Sequence, residues 1–132
     1  MILSKDFPPN FDRIDAVFKI KENRYNPVFC YGNTIHNPFN VKLTEDLIVH
    51  EGVHSVQQGQ DPEKWWDRYL TDKDFRLLQE VEAFKTQYKF IRANVPDRNY
   101  VAKILFIMSL NLGGKMYGNI IPVSKAATLI KG

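Results

Sequence analysis

Cysteine is nearly absent from this 132-residue chain. Cys30 stands alone, so no internal disulfide can form. A lone thiol fits a reducing compartment. Its plainest role is a small buried strand residue, and a thiolate reaching a metal is the alternative. Long apolar runs are missing too. The longest, Val101 to Leu112, is interrupted by Lys103 and Asn111 and is too short to cross a bilayer. Met1 to Asp6 holds no apolar core of the length a secretory signal needs. A soluble protein with no membrane partner is therefore expected. No internal repeat or low-complexity stretch is present, and 132 residues at 44% hydrophobic and 25% charged content describe one ordinary globular domain, 1–132. Acidic residues are scarce at one end. Residues 1–82 hold ten Lys and Arg against fourteen Asp and Glu, whereas residues 83–132 hold eight against one, Asp97. Such a basic third is a solvated helix face or a surface for an acidic partner, nucleic acid or peptidoglycan. It lacks the glycine-aromatic pattern of an RNA-binding module and any recognition helix, so a nucleic-acid partner is not expected.

Histidine is also scarce, at three, and two of the three fall in His50-Glu51-Gly52-Val53-His54. On an α-helix, positions i and i+4 share a face one turn apart, so both imidazoles reach one ion. Glu51 projects beside His50, placed to touch a water on that ion rather than to ligate it. Two histidines and a glutamate so spaced are a zinc site with a general base. Average residue usage produces the pattern by chance in roughly one of a few hundred chains this long, so its surroundings have to agree with it. They do. Thr44 is a candidate N-cap, and Glu45 and Asp46 place negative charge in the first turn. Leu47, Ile48, Val49, Val53 and Val56 suit a helix buried in a core. Gly52 lowers helix propensity by about 1 kcal/mol, which close packing of another element would explain. Gly59 ends the helix, and Asp61-Pro62 starts the next.

A catalytic zinc takes three protein ligands and keeps a fourth position open. Downstream, Gln79-Glu80-Val81-Glu82-Ala83 lies on a second long helix, with Glu80 26 residues beyond His54. The apolar face of that helix is Leu77, Val81, Phe84, Tyr88 and Ile91. At about 100° per residue, Glu80 falls at the edge of the inward face and Glu82 well round toward solvent. Glu80 is the better placed third ligand; Glu82 and His36, the remaining histidine, are the alternatives.

His50-Glu51-x-x-His54 followed by Glu80-x-x-Ala83 resembles the gluzincin class of zinc metallopeptidases. Tyr31-Gly32-Asn33-Thr34-Ile35, Asn37-Pro38, Gln57-Gln58-Gly59, Trp65-Trp66-x-Arg68-Tyr69-Leu70 and Phe75-Arg76-Leu77-x-Gln79-Glu80 resemble, more narrowly, short phage-encoded metallopeptidases. The likeness covers roughly residues 28 to 90. It implies a minimal gluzincin-like fold, Zn2+ on His50, His54 and Glu80, Glu51 as catalytic base, and a peptide or protein substrate. A site in the host-cell cytoplasm or in the virion is expected with it. The alternative is a non-catalytic structural or virion component that keeps zinc for stability. One departure stands out. Many gluzincins carry an Asp one turn after the ligand Glu, bonded to a ligand His; here that position is Phe84. Candidates for transition-state or substrate contacts are Tyr69, Arg76, Tyr88 and Tyr117. Arg76 is equally a structural partner.

The expected fold is α+β and mostly helical, with a small sheet or hairpin packed beside the zinc helix. Asn10 is a candidate cap for a first helix through Phe11, Ile14, Val17 and Phe18. Phe18 to Lys21 alternates and could be a strand instead. Val28 to Tyr31 and Asn33 to Asn37 read as a hairpin about Gly32, whose edge could pair with an extended peptide. Trp65, Trp66 and Tyr69 close the core or wall the site. Thr71 or Asp72 caps the Glu80 helix, which Pro96 ends. Asp97 caps a helix with Ile104, Leu105, Ile107, Met108 and Leu112 as core, stopped by Gly113-Gly114. A turn at Tyr117-Gly118-Asn119 and a last helix from Lys125 to Ile130 complete the chain.

Overall fold

A computed structural model describes residues 1–132. Seven α-helices and a three-stranded sheet make the mostly helical α+β fold that the sequence predicts. In order these are β1 (Ile2–Ser4), α1 (Phe11–Phe18), α2 (Ile20–Asn23), β2 (Phe29–Tyr31), β3 (Thr34–His36), α3 (Glu45–Gln58), α4 (Pro62–Thr71), α5 (Lys73–Asn94), α6 (Arg98–Leu112) and α7 (Val123–Lys131). A 3-10 turn at Lys115–Tyr117 joins the last two helices. No helix is long and apolar enough to cross a membrane.

The hairpin is present: β2 runs antiparallel to β3, and Gly32 turns it at φ 60°. Nothing in the sequence pattern marks β1, which pairs in parallel with β3, Leu3 opposite Ile35. Phe18 to Lys21 is not a strand. Lys19 adopts a left-handed conformation (φ 54°) and separates two helices, which lets Ile20 turn into the core. Asn10 occupies the N-cap of α1, but its side chain caps nothing and is buried without a partner.

Helix α3 reverses the expected burial. Its buried residues are His50, Glu51, His54 and Gln58, and Val56 is 82% exposed. The inward face is polar because it lines the site. Gly52 has no closely packed neighbour, since an added Cβ would meet only the Met1 sulfur at 4.0 Å. Gly113 and Gly114 are constrained: a Cβ would come within 2.9 Å of Val123 at the first and of the Leu110 carbonyl at the second. The caps at Asp61, Asp72 and Asp97 hold, each carboxylate accepting backbone N–H groups of the helix it starts. Ile107, expected in the core, is exposed, while Met108 and Leu112 of α6 are buried.

Two apolar clusters flank the site. One gathers Phe11, Ile14, Ile20, Phe29, Trp65, Trp66, Tyr69 and Leu70. The other gathers Phe84, Tyr88, Ile91, Val101, Met108, Leu112, Ala126 and Ile130. Side chains of α3 and α4 tie the hairpin down. Gln58 accepts from Gly32 N–H (2.6 Å) and donates to the Cys30 carbonyl (2.8 Å), which also accepts from Trp66 Nε1 (3.1 Å). The Cys30 carbonyl of β2 and the Gly32 N–H of the turn are therefore already paired and not open to an added peptide strand. Replacing Gln58 by Leu should lower unfolding free energy by about 1 kcal/mol, since it leaves the half-buried Gly32 N–H without its partner. Urea denaturation measures this, and a change below about 0.5 kcal/mol would mean that the tie is dispensable.

Candidate metal centre

His50 and His54 sit one turn apart on α3, and Glu80 comes from the middle of α5. Their ligand atoms all lie within 4.8 Å of one another. Glu80 Oε1 is 3.3 Å from His50 Nε2, and Glu80 Oε2 is 3.2 Å from His54 Nε2. Neighbouring ligands on a tetrahedral ion with bonds near 2.1 Å stand about 3.4 Å apart. Both histidine–glutamate separations match that spacing. A second observation agrees: Glu80 Oε1 is buried with no hydrogen-bond partner, the position of an oxygen that awaits a cation. The group can hold a metal ion. Of the other candidate ligands, Glu82 is exposed, and His36 turns its Nδ1 to the Asp6 carbonyl (3.0 Å). Cys30 stays outside the cluster, its thiol pushed up by burial and then by Glu51.

Packing fixes the imidazoles. The His50 ring meets Phe84 edge-on at 4.6 Å, and His54 lies 5.4 Å from Trp65. Phe84, at the position where an Asp was missing, thus packs on the ligand instead of bonding to it. The outer nitrogens bond to glutamines: His50 Nδ1 to Gln87 Oε1 at 2.9 Å and His54 Nδ1 to Gln57 Oε1 at 2.8 Å. Neither role is read from the sequence. Spacing carries a faint signal, since Gln57 follows His54 by three residues and Gln87 follows Glu80 by seven, both same-face intervals.

Glu51 lines the same cavity with its carboxylate 4.0 Å from His50 Nε2. Burial raises its pKa, the two histidines oppose that, and Glu80 adds to it. A carboxylate held above its ordinary range is a stronger base than a free one, which suits it to proton transfer. The cavity holds about 70 Å³ of free space, walled by Ile14, Phe18, Ile20, Phe29, Trp65 and Met116 among others. Both roles expected of the α4 aromatics thus meet: they are core, and they wall the site.

The other candidates separate. Tyr69 donates to Glu80 Oε2 at 2.6 Å and is committed to the ligand. Tyr117 lines the cavity from the 3-10 turn. Burial, and then the charge of Glu80, holds both phenols well above their usual range, so both are donors. Arg76 does not reach the cavity. Its guanidinium donates to the carbonyls of Tyr69, Leu70 and Tyr117 and stacks 4.7 Å from the Phe18 ring. Tyr88 belongs to the second cluster, away from the triad. No protein-family model, curated protein or solved structure matches the chain.

Without a metal, His54 carries the positive charge. Burial alone would lower its pKa, but Glu80 more than reverses this and raises it from 6.5 to about 9. Glu80 is correspondingly held below the carboxylate range. The sign follows. Below pH 6.5 folded and unfolded chains both carry the proton and the pair stabilises fully; the gain is lost as pH rises through about 9. An ion must displace that proton. Metal affinity is therefore expected to climb with pH up to about 9, by about tenfold per unit. Titrations at several pH values in buffers of different ionisation enthalpy measure both the slope and the released proton. A flat profile would place no proton on the triad.

Proposed function

We propose that the chain is a zinc-dependent metallopeptidase acting on peptide or protein amides. The reading is carried by one arrangement: two imidazoles and the Glu80 carboxylate converge within reach of one ion, with the Glu51 carboxylate on the same cavity. Two His and one Glu with a position left free are the ligand set of catalytic zinc. The resemblance of residues 28 to 90 to short phage-encoded metallopeptidases supports the same reading.

A zinc ion on His50, His54 and Glu80 would act as a Lewis acid and lower the pKa of a water toward about 7. The chain's own groups do the rest. Glu51 accepts the proton of the attacking water and delivers it to the leaving amine. Tyr117 donates to the oxygen that gains charge at the carbonyl. Tyr69 keeps the Glu80 carboxylate turned to the histidines, and Arg76 anchors the backbone of Tyr117. The apolar walls exclude water, which strengthens each of these interactions.

One observation favours a second reading, a non-catalytic zinc-stabilised component. His50, Glu51 and His54 are each 5% exposed and Glu80 2%. The free space of about 70 Å³ is small beside the several hundred Å³ of an ordinary ligand pocket. Turnover of a peptide library by the zinc-loaded protein separates the two. The metallopeptidase reading expects cleavage that falls by about a thousandfold in Glu51→Gln with zinc still bound, and by about a hundredfold in kcat in Tyr117→Phe. Zinc binding that raises the melting temperature, with no turnover of any peptide, would select the structural reading.

A further inference from the structure

The outer nitrogens of both metal-facing histidines end in the same kind of chain. His50 Nδ1 meets Gln87 Oε1 at 2.9 Å, and Gln87 Nε2 donates to Asp46 Oδ2 at 2.8 Å. His54 Nδ1 meets Gln57 Oε1 at 2.8 Å, and Gln57 Nε2 donates to Glu82 Oε1 at 2.8 Å and to the Gln79 carbonyl at 3.0 Å. The first runs from the start of α3 through α5 and back to α3. The second runs from α5 to α3.

An amide has one donating and one accepting end of nearly equal shape, so its orientation is set by what the ends meet. An ionised carboxylate only accepts. Asp46 therefore turns the NH2 of Gln87 toward itself and leaves Oε1 for His50; Glu82 and the Gln79 carbonyl do the same to Gln57. An amide oxygen in turn requires a donor, so each histidine carries its proton on Nδ1. In a neutral imidazole the lone pair then lies on Nε2, the atom that faces Glu80. We propose that Gln87 and Gln57 are positioning residues, held by Asp46 and Glu82, that fix the tautomer and aim of the two ligand histidines. The proposal rests on the metal-binding reading above. It gives Glu82, an exposed charge two residues past the ligand, a role at one remove from the metal. Using amides rather than carboxylates against the histidines also adds no charge to a cavity that already holds Glu51 and Glu80, both buried.

The test uses the whole chain and zinc alone, with affinity read by competition against a chromophoric chelator at fixed pH. Gln87→Leu and Gln57→Leu each remove the acceptor with little change in shape and should weaken zinc binding by about 10- to 100-fold. Asp46→Asn keeps an acceptor for Gln87 and should bind within about threefold of wild type, whereas Asp46→Ala should bind more weakly than Asp46→Asn; both follow from the inferred role of an acceptor at that position. Nuclear magnetic resonance of the zinc-loaded protein adds a site-specific readout, since general loosening would speed exchange at both histidines and loss of one acceptor at one. Two slowly exchanging imidazole Nδ1 protons are expected in wild type, with one lost in each glutamine variant. Should Gln87→Leu fold poorly, Gln57→Leu and Glu82→Ala, at less buried positions, carry the same comparison. Wild-type affinity in both glutamine variants, or two protected protons in each, would overturn the inference and leave the metal site standing. A wild-type protein that takes up no zinc would overturn both.

Discussion

A carboxylate taken out of water must find positive charge and donors, and at Glu80 this requirement organises the molecule. The side chain is 2% exposed, and one of its oxygens has no hydrogen-bond partner. Leaving such an ion uncompensated costs several kcal/mol. Compensation comes from three directions: two imidazoles from α3 and the Tyr69 hydroxyl from α4. The proton that His54 keeps to unusually high pH is the chain's own substitute for a cation. A metal ion in the same place would answer the same electrostatic demand.

The neighbouring elements follow from serving that carboxylate. Helix α3 turns a polar face inward and leaves Val56 in water, the reverse of an amphipathic helix that packs for burial alone. The lost apolar burial is made up on either side, where the two aromatic and aliphatic clusters close over the site without joining. Phe84 and Trp65 extend those clusters onto the histidine rings themselves. Arg76, buried on three backbone carbonyls, joins α4 and the 3-10 turn behind the cavity. From α5, one turn before Glu80, it holds the backbone of Tyr117 without reaching the cavity.

Much of this was legible in the chain itself. The interval from His50 to His54 places both rings on one helix face whatever the rest of the fold does, because 3.6 residues per turn is a local property. The same arithmetic distinguished Glu80 from Glu82, which are two residues and a large helical angle apart. Caps at Asp61, Asp72 and Asp97, the stop at Gly113-Gly114 and the turn at Gly32 are likewise local. Local reading failed where burial depended on a partner. Apolar Val56 and Ile107 were expected inside and lie outside, and Gly52 has no close neighbour to explain it. Phe18 to Lys21 alternates like a strand, but one left-handed residue converts it into two helices.

Sequence by itself determined that His50 and His54 share a helix face with Glu51 beside them, that Glu80 turns inward on a second helix, and where those helices run, since each depends on spacing within a few turns. Only the tertiary structure decided what the outer histidine nitrogens bond to, which tyrosines face the cavity, where Arg76 spends its donors and that Ile2–Ser4 is a strand. Gln87 meets His50 across 37 positions and Arg76 meets Tyr117 across 41, while β1 pairs with residues more than 30 positions away. No periodicity spans such distances. A glutamine's two ends, a tyrosine's reach and a short edge strand acquire a role only when packing brings the partner within about 3 Å.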